Sequence, residues 1–309
     1  MKMKIISLSV LSVSLSLIFT ACKKDNKSTT DPSQELTSQS DDQSRVQAEE
    51  DNVATDANIA LSNYSSISGR INGGATPSCD ITVAVDSSSN TRTLTFTYKG
   101  TNCLGNRSRT GQVVVSIPSG IHWKDQGAAV TISFNNLKVT RLIDNKSITI
   151  NGSETITNVS GGTFYDAKNG QTVIHTITSS GITITFDDNT QRSWQISKQR
   201  VFSSTNGNLV ITTTGTHTDG SNSKIAEWGT NRFGNAFTTS IQEPIVISEA
   251  CNFRVTSGAL LHTTPAISAT AVFGLDNTGT ATTCPGTGFY YAKISWTYNG
   301  NTHSVLLPY

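Results

Sequence analysis

Four cysteines in the body of the chain, Cys79, Cys103, Cys251 and Cys284, are the residues whose type and number most directly imply chemistry. An even number of cysteines in an exported chain reads as a disulfide framework. Of the three possible connectivities, Cys79 with Cys103 and Cys251 with Cys284 is favoured, because each pair brackets one strand region and closes a short loop. No CxxC or HxxxH pair offers metal-ligand spacing, so no metal and no cofactor is expected. A Gly-x-Ser-x-Gly nucleophile turn is absent, as are zincin, P-loop and dinucleotide fingerprints. His217 and Asp219, with Glu227 near them, form the nearest approach to an acid/base cluster, and they read as an exposed polar strand end. Asp187-Asp188-Asn189 and Asp276-Asn277-Thr278-Gly279 lack the spaced carboxylates and closing Glu of a calcium loop and read as turns. No catalytic residue is therefore assigned, and glycoside hydrolysis by an unmarked carboxylate pair stands as the alternative. Trp123, in a Gly-flanked loop, and Trp228, before Gly229, are the aromatic rings best placed to stack on a sugar if they are exposed.

Something must export and position this body, and the first 21 residues have the build to do it. Lys2 and Lys4 precede an apolar and Ser stretch from Ile5 to Phe19, followed by Thr20 and Ala21. That is the pattern of a secretory signal peptide, with a run of about 15 residues that is shorter than the ~20 of a permanent membrane helix. The Ala21-Cys22 junction resembles the lipobox of bacterial lipoproteins. The resemblance implies that the Cys22 thiol is diacylglycerated, becomes the new N-terminus and holds the chain to a membrane through acyl chains of the palmitate kind. Lys23, Lys24, Asp25 and Asn26 are similar to the signal that sends Bacteroidota lipoproteins to the outer face of the outer membrane. From Cys22 to Ser44 the sequence is nearly all polar and is expected to be a flexible tether.

Beyond the tether, Val46, Val53, Ala57, Ala60 and Leu61 recur at helical spacing, which predicts one short amphipathic helix over 45–62. The period then changes to two. Leu94-Phe96-Tyr98, Val113-Val115-Ile117, Val130-Ile132-Phe134, Ile182-Ile184-Phe186 and Ile294-Trp296-Tyr298 alternate with Thr and Ser. Asn-Gly pairs at 169, 206 and 299 supply short turns between apolar runs. The expectation is an all-β domain over 63–309, an antiparallel meander of roughly 14 strands forming a large curved sheet or a sandwich. Ser and Thr number 84, while charged residues are only 15% of the chain. Losing Lys2 and Lys4 with the leader takes Lys+Arg from 23 to 21 against 22 acids, a net charge of −1. Such a balance gives no electrostatic footprint for nucleic acid.

The block from Thr93 to Val115, with Cys103, Arg107, Arg109 and Gly111, resembles one in uncharacterised Bacteroidota cell-surface lipoproteins, where a strand leads to a Cys, a turn, Arg-x-Gly and a further strand. Gly229 to Thr238, Cys251 to Gly258 and Tyr298 to Leu307 are similar to that family in the same order. Tyr98-Lys99 and Cys284-Pro285 depart from its pattern. The resemblance implies an exported all-β lipoprotein with a second disulfide, and it carries no activity. Together these features suggest a lipid-anchored outer-membrane or cell-surface protein acting as a non-enzymatic structural or adhesion module, with an envelope protein as partner. The alternative is a glycan-binding accessory lipoprotein.

Overall fold

Alternation of apolar with hydroxyl side chains lays this chain into a single antiparallel sheet of sixteen strands. The computed structural model describes residues 32–63, 80–102, 105–179, 181–285, 288–298 and 300–309. The leader, Cys22, Cys79 and Cys103 lie outside them. The first half holds β1 (Ile81–Asp86), β2 (Thr91–Thr101), β3 (Arg107–Pro118), β4 (Ala128–Arg141), β5 (Ser147–Asn158), β6 (Val173–Ser179), β7 (Ile182–Phe186) and β8 (Gln191–Thr205). The second half holds β9 (Asn208–Gly215), β10 (His217–Asp219), β11 (Asn222–Thr230), β12 (Ala236–Ser248), β13 (Arg254–Thr263), β14 (Ser268–Leu275), β15 (Tyr291–Tyr298) and β16 (Asn301–Pro308). Among the described residues two α-helices accompany them, α1 (Pro32–Asn63) and the short α2 (Phe164–Lys168).

The strands fill thirteen successive positions rather than sixteen. β6 and β7 both pair with β5 and β8, so they form one interrupted strand, and β9 and β11 likewise share the place between β8 and β12. The break between β6 and β7 falls where the Gly152 backbone (φ 117°) meets Gly181, and a Cβ on Gly152 would stand 2.4 Å from the Gly181 carbonyl oxygen. At Asn206-Gly207 both residues have positive φ, as the tight hairpin between β8 and β9 demands. Asn169-Gly170 instead ends α2, so that Asn-Gly pair closes a helix and not a hairpin.

α1 begins at Pro32, thirteen residues before the expected helix, and residues 32–44 are therefore helical and not a flexible tether. The polar side chains that suggested a tether are bonded to the sheet: Asp41 to Arg141, Asp42 to Arg232 and Gln43 to Arg192. Val46, Val53, Ala57, Ala60 and Leu61 are buried as the spacing predicted. They enter one core with Leu94, Phe96, Val115, Ile132, Ile184 and Trp194 from the inner face of the sheet. Adjacent helix residues also bind strands far apart in the sheet order, since Glu49 reaches Arg107 on β3 and Glu50 reaches Arg200 on β8. On a flat sheet those strands, four positions apart, would be separated by about 19 Å at ~4.8 Å per step, against a helix diameter of ~10–12 Å. The sheet therefore curves around α1, which makes it one curved sheet rather than a sandwich. Among the described residues no helix is long and apolar enough to cross a membrane.

At the end of the sheet where β5 stops, His175 is buried among Trp123, Phe202 and Phe164, with ring centroids 5.0, 4.8 and 6.1 Å away. Burial, helped by the Arg200 charge, pulls its imidazole down to about 3 from the usual 6.5, so the folded protein holds it neutral. Between those values the unfolded chain binds the extra proton, and stability must fall as pH is lowered from 6.5. A His175→Phe variant is expected to keep about 2 kcal/mol that the parent loses between pH 6.5 and 5.0, a window above most carboxylate titration. Urea unfolding at several pH values reads this directly. Parallel pH profiles for the two proteins would show that His175 is not held neutral.

Candidate functional site

Inward positions on a half-buried strand are ordinarily apolar, yet Arg92, Arg109, Arg192 and Lys198 occupy them here and are buried. Each strand places them by alternation: on β8, Arg192, Trp194, Ile196 and Lys198 share one face. α1 turns acids toward this face: Asp42, Glu49 and Asp56 recur every seven residues and are all buried, and Glu49 and Asp56 meet Arg109. Seven residues is close to two helical turns, so the three carboxylates form a stripe along the helix.

At one end of this stripe Arg232 grips Asp42 through two hydrogen bonds (2.7 and 2.5 Å), with its guanidinium 3.7 Å from the centre of the Phe186 ring. Desolvation still raises the Asp42 carboxyl above its ordinary value, against the pull of Arg232. Further along, Arg109 donates to both oxygens of Asp80 (2.7 and 2.6 Å) and to Glu49 (3.1 Å), 3.6 Å from Asp56 and over the Tyr98 ring. Burial opposes its charge, but these carboxylates more than offset that and hold the guanidinium above its usual range. Arg107 adds a second donor to Glu49 at 3.0 Å.

Glu227 on β11 is a buried carboxylate that faces Gln43 of α1. The Lys198 ammonium lies 2.6 Å from one of its oxygens, while Trp194 Nε1 and the Gln43 amide donate to the other. Burial would push this carboxyl up, but Lys198 and Arg192 together keep it below the normal carboxylate value. The same carboxylate and Glu50 raise the Lys198 ammonium against its own desolvation. Arg192 is less well compensated: it reaches Gln43 Oε1 at 2.5 Å and the Phe237 ring face, but its Nε and Nη1 have no hydrogen-bond partner among the described residues. Desolvation pushes it down to about 10. The whole constellation neutralises charge internally and fastens the helix. It is a clamp.

The outer face has a different chemistry. Thr93, Ser116, Thr131, Thr155, Thr178 and Ser197 stand directly opposite one another across β2, β3, β4, β5, β6 and β8, forming one unbroken rung of hydroxyls. Ser197 continues it to Thr216 by a 2.8 Å hydroxyl contact. A second rung runs Thr157, Thr176, Gln199, Thr214. Spacing along a rung is set by the strand separation, ~4.8 Å, and rungs repeat every two residues at ~6.7 Å.

Most of the residues singled out from the sequence do not join either arrangement. Trp123 is buried against His175, which removes it as an exposed sugar platform; the Gly-flanked loop folds back over the core. Trp228 is half-buried on the outer face with His217 stacked on its ring at 4.0 Å. His217 and Asp219 lie on the small β10 hairpin, whereas Glu227 points to the opposite face, so the three do not meet as an acid/base group. Asp188 and Asp276 cap turns by accepting from Thr190 and Thr278. Among the described residues no group of three or more His, Cys, Asp and Glu could hold a metal ion. Cys251 and Cys284 are disulfide-bonded with Cα atoms 5.2 Å apart, and the Tyr290 hydroxyl lies 3.6 Å from Cys251 Sγ. The other expected pair, Cys79 with Cys103, falls outside the described residues. No protein-family model matches the chain, and no curated protein or solved structure is significantly similar to it.

The clamp makes a quantitative demand. Removing one partner of a buried ion pair strands the other and typically costs about 3–5 kcal/mol, whereas replacing both by neutral groups costs much less. Glu227→Gln is expected to destabilise by that amount, and adding Lys198→Met should recover most of it. Chemical denaturation of the two single variants and the double would measure the coupling. Simple additivity would mean that Lys198 and Glu227 act independently.

Proposed function

We propose that the protein is a lipid-anchored module of the outer membrane or cell surface, held through Cys22 and acting as a non-enzymatic structural or adhesion element. The observation that carries this reading is the clamp on α1. Nine residues separate Cys22 from Pro32, and the helix that follows is fastened through Asp41, Asp42, Glu49, Glu50 and Asp56 to strands and a turn across the sheet. A pull on the anchor is then borne by the core rather than by a loose arm. The buried acids of α1 serve this fastening, with Asp42 facing Arg232, Glu49 facing Arg107 and Arg109, Glu50 facing Arg200 and Asp56 facing Arg109. The likeness of the Cys103, Arg107-x-Arg109 and Cys251 blocks to Bacteroidota surface lipoproteins supports the same setting.

The hydroxyl rungs favour a second reading, a neutral polysaccharide lying along the outer face. Uncharged, evenly spaced hydroxyls suit a polymer that offers hydroxyls of its own.

Cys22→Ala is expected to abolish incorporation of labelled palmitate and to move the protein from the detergent to the aqueous phase in phase separation. Unchanged partitioning would refute the anchor. For the second reading, retardation in a polysaccharide-impregnated gel should vanish on replacing Thr131, Thr155 and Thr178 together by Val, which keeps shape and removes the hydroxyls. The first reading expects no retardation by any polysaccharide.

A further inference from the structure

β2, β4, β7, β11, β13 and β15 end at one rim of the sheet, where turns 142–146, 187–190, 231–235 and 264–267 cluster. The N-terminal part of α1 lies at this rim. Leu36 packs against Ile267 and Trp296, Asp41 is held by Arg141 beside turn 142–146, and Asp42 is held by Arg232 within turn 231–235. Pro32, the first described residue, therefore lies at this end.

The two turns that flank the helix carry apolar side chains pointing into solvent. Ile143 is 90% exposed, Phe233 53% and Leu142 39%. Nothing about turn formation requires them. Turn 142–146 is fixed by other groups: Arg141 N–H donates to the Lys146 carbonyl (2.9 Å), Leu142 N–H to the Asn106 carbonyl (3.0 Å), and the Arg141 guanidinium binds Asp144 (2.5 Å). A rigid turn that presents Ile143 outward, with the exposed Lys146 beside it, combines an apolar tip with a cation as a lipid–water boundary does.

We propose that this rim is a membrane contact, with Ile143, Leu142 and Phe233 entering the headgroup region of the bilayer to which the chain is anchored. The inference rests on the anchor at Cys22. The ten Cα–Cα steps from Cys22 to Pro32 reach at most about 35 Å when extended and roughly 17 Å as a coil, so an anchored chain keeps the rim close to lipid. The opposite end of the sheet, which carries the exposed Tyr165 on α2, faces away.

The test uses the mature lipidated protein in phosphatidylethanolamine/phosphatidylglycerol vesicles with brominated acyl chains, which quench nearby indoles. Trp is introduced singly as Ile143→Trp, Phe233→Trp or Tyr165→Trp; all three sites are exposed, so folding is not at stake. Quenching of the added ring is expected to be at least about two-fold stronger at 143 and 233 than at 165, given insertion of ~5–10 Å. Equal quenching at the three sites, or stronger quenching at 165, overturns the rim contact while co-sedimentation with vesicles leaves the anchor standing. Protein that stays in the supernatant refutes the anchor and removes the ground of the proposal with it.

Discussion

Charge burial governs how this protein is put together. A carboxylate taken from water into a protein interior costs several kcal/mol unless a cation meets it with good geometry, and the interior here takes in acids from α1 and bases from the sheet. Each of the two parts would be poorly stable without the other: the sheet's inner face would expose Arg109, Arg192 and Lys198 within an apolar surface, and α1 alone has too few apolar positions to fold against anything less specific. Ion pairs of this kind add little net stability compared with apolar packing, but they penalise every misplaced register. Sliding α1 by one residue would remove Asp42 from Arg232, Glu49 from Arg107 and Arg109, and Asp56 from Arg109 at the same time. Thus the clamp specifies position, and the methyl groups of Val46, Val53, Ala57 and Leu61 supply the adhesion.

The strands were legible in the sequence because their signal is local. Leu94-Phe96-Tyr98 or Val130-Ile132-Phe134 must face inward whatever the rest of the chain does, and the inner face of the sheet follows from that alternation. The helix was legible only where it is apolar. Residues 32–44 looked like a tether because their polar side chains have no partner nearby in sequence; Arg141, Arg192 and Arg232 lie 100 to 190 residues away. Two signals could have exposed the clamp: the seven-residue recurrence of Asp42, Glu49 and Asp56, and basic residues at inward positions of the alternation, as in Arg192-x-Trp194-x-Ile196-x-Lys198. Neither shape nor closure of the sheet was encoded locally. Trp123 misled for a related reason, since flanking glycines mark a loop but do not say whether it folds back over the core.

Among the described residues the sheet leaves two edges, β1 and β16, each paired on one side only. Unpaired backbone groups on an edge invite another strand, and edges that resist this are short, charged or polar. β1 has six residues and ends at Asp86, whose side chain turns back to Ser88, while the first four residues of β16, Asn301 to Ser304, are exposed and polar and Pro308 ends it. Closure into a barrel would have removed both edges but also fixed the diameter, and the interior must accommodate a 32-residue helix whose side chains vary from Ala57 to Glu49 in size. Keeping the sheet open lets its curvature adjust to the helix along its length. The helix therefore sets the curvature, and the same curvature spreads the hydroxyl rungs over the convex outer face.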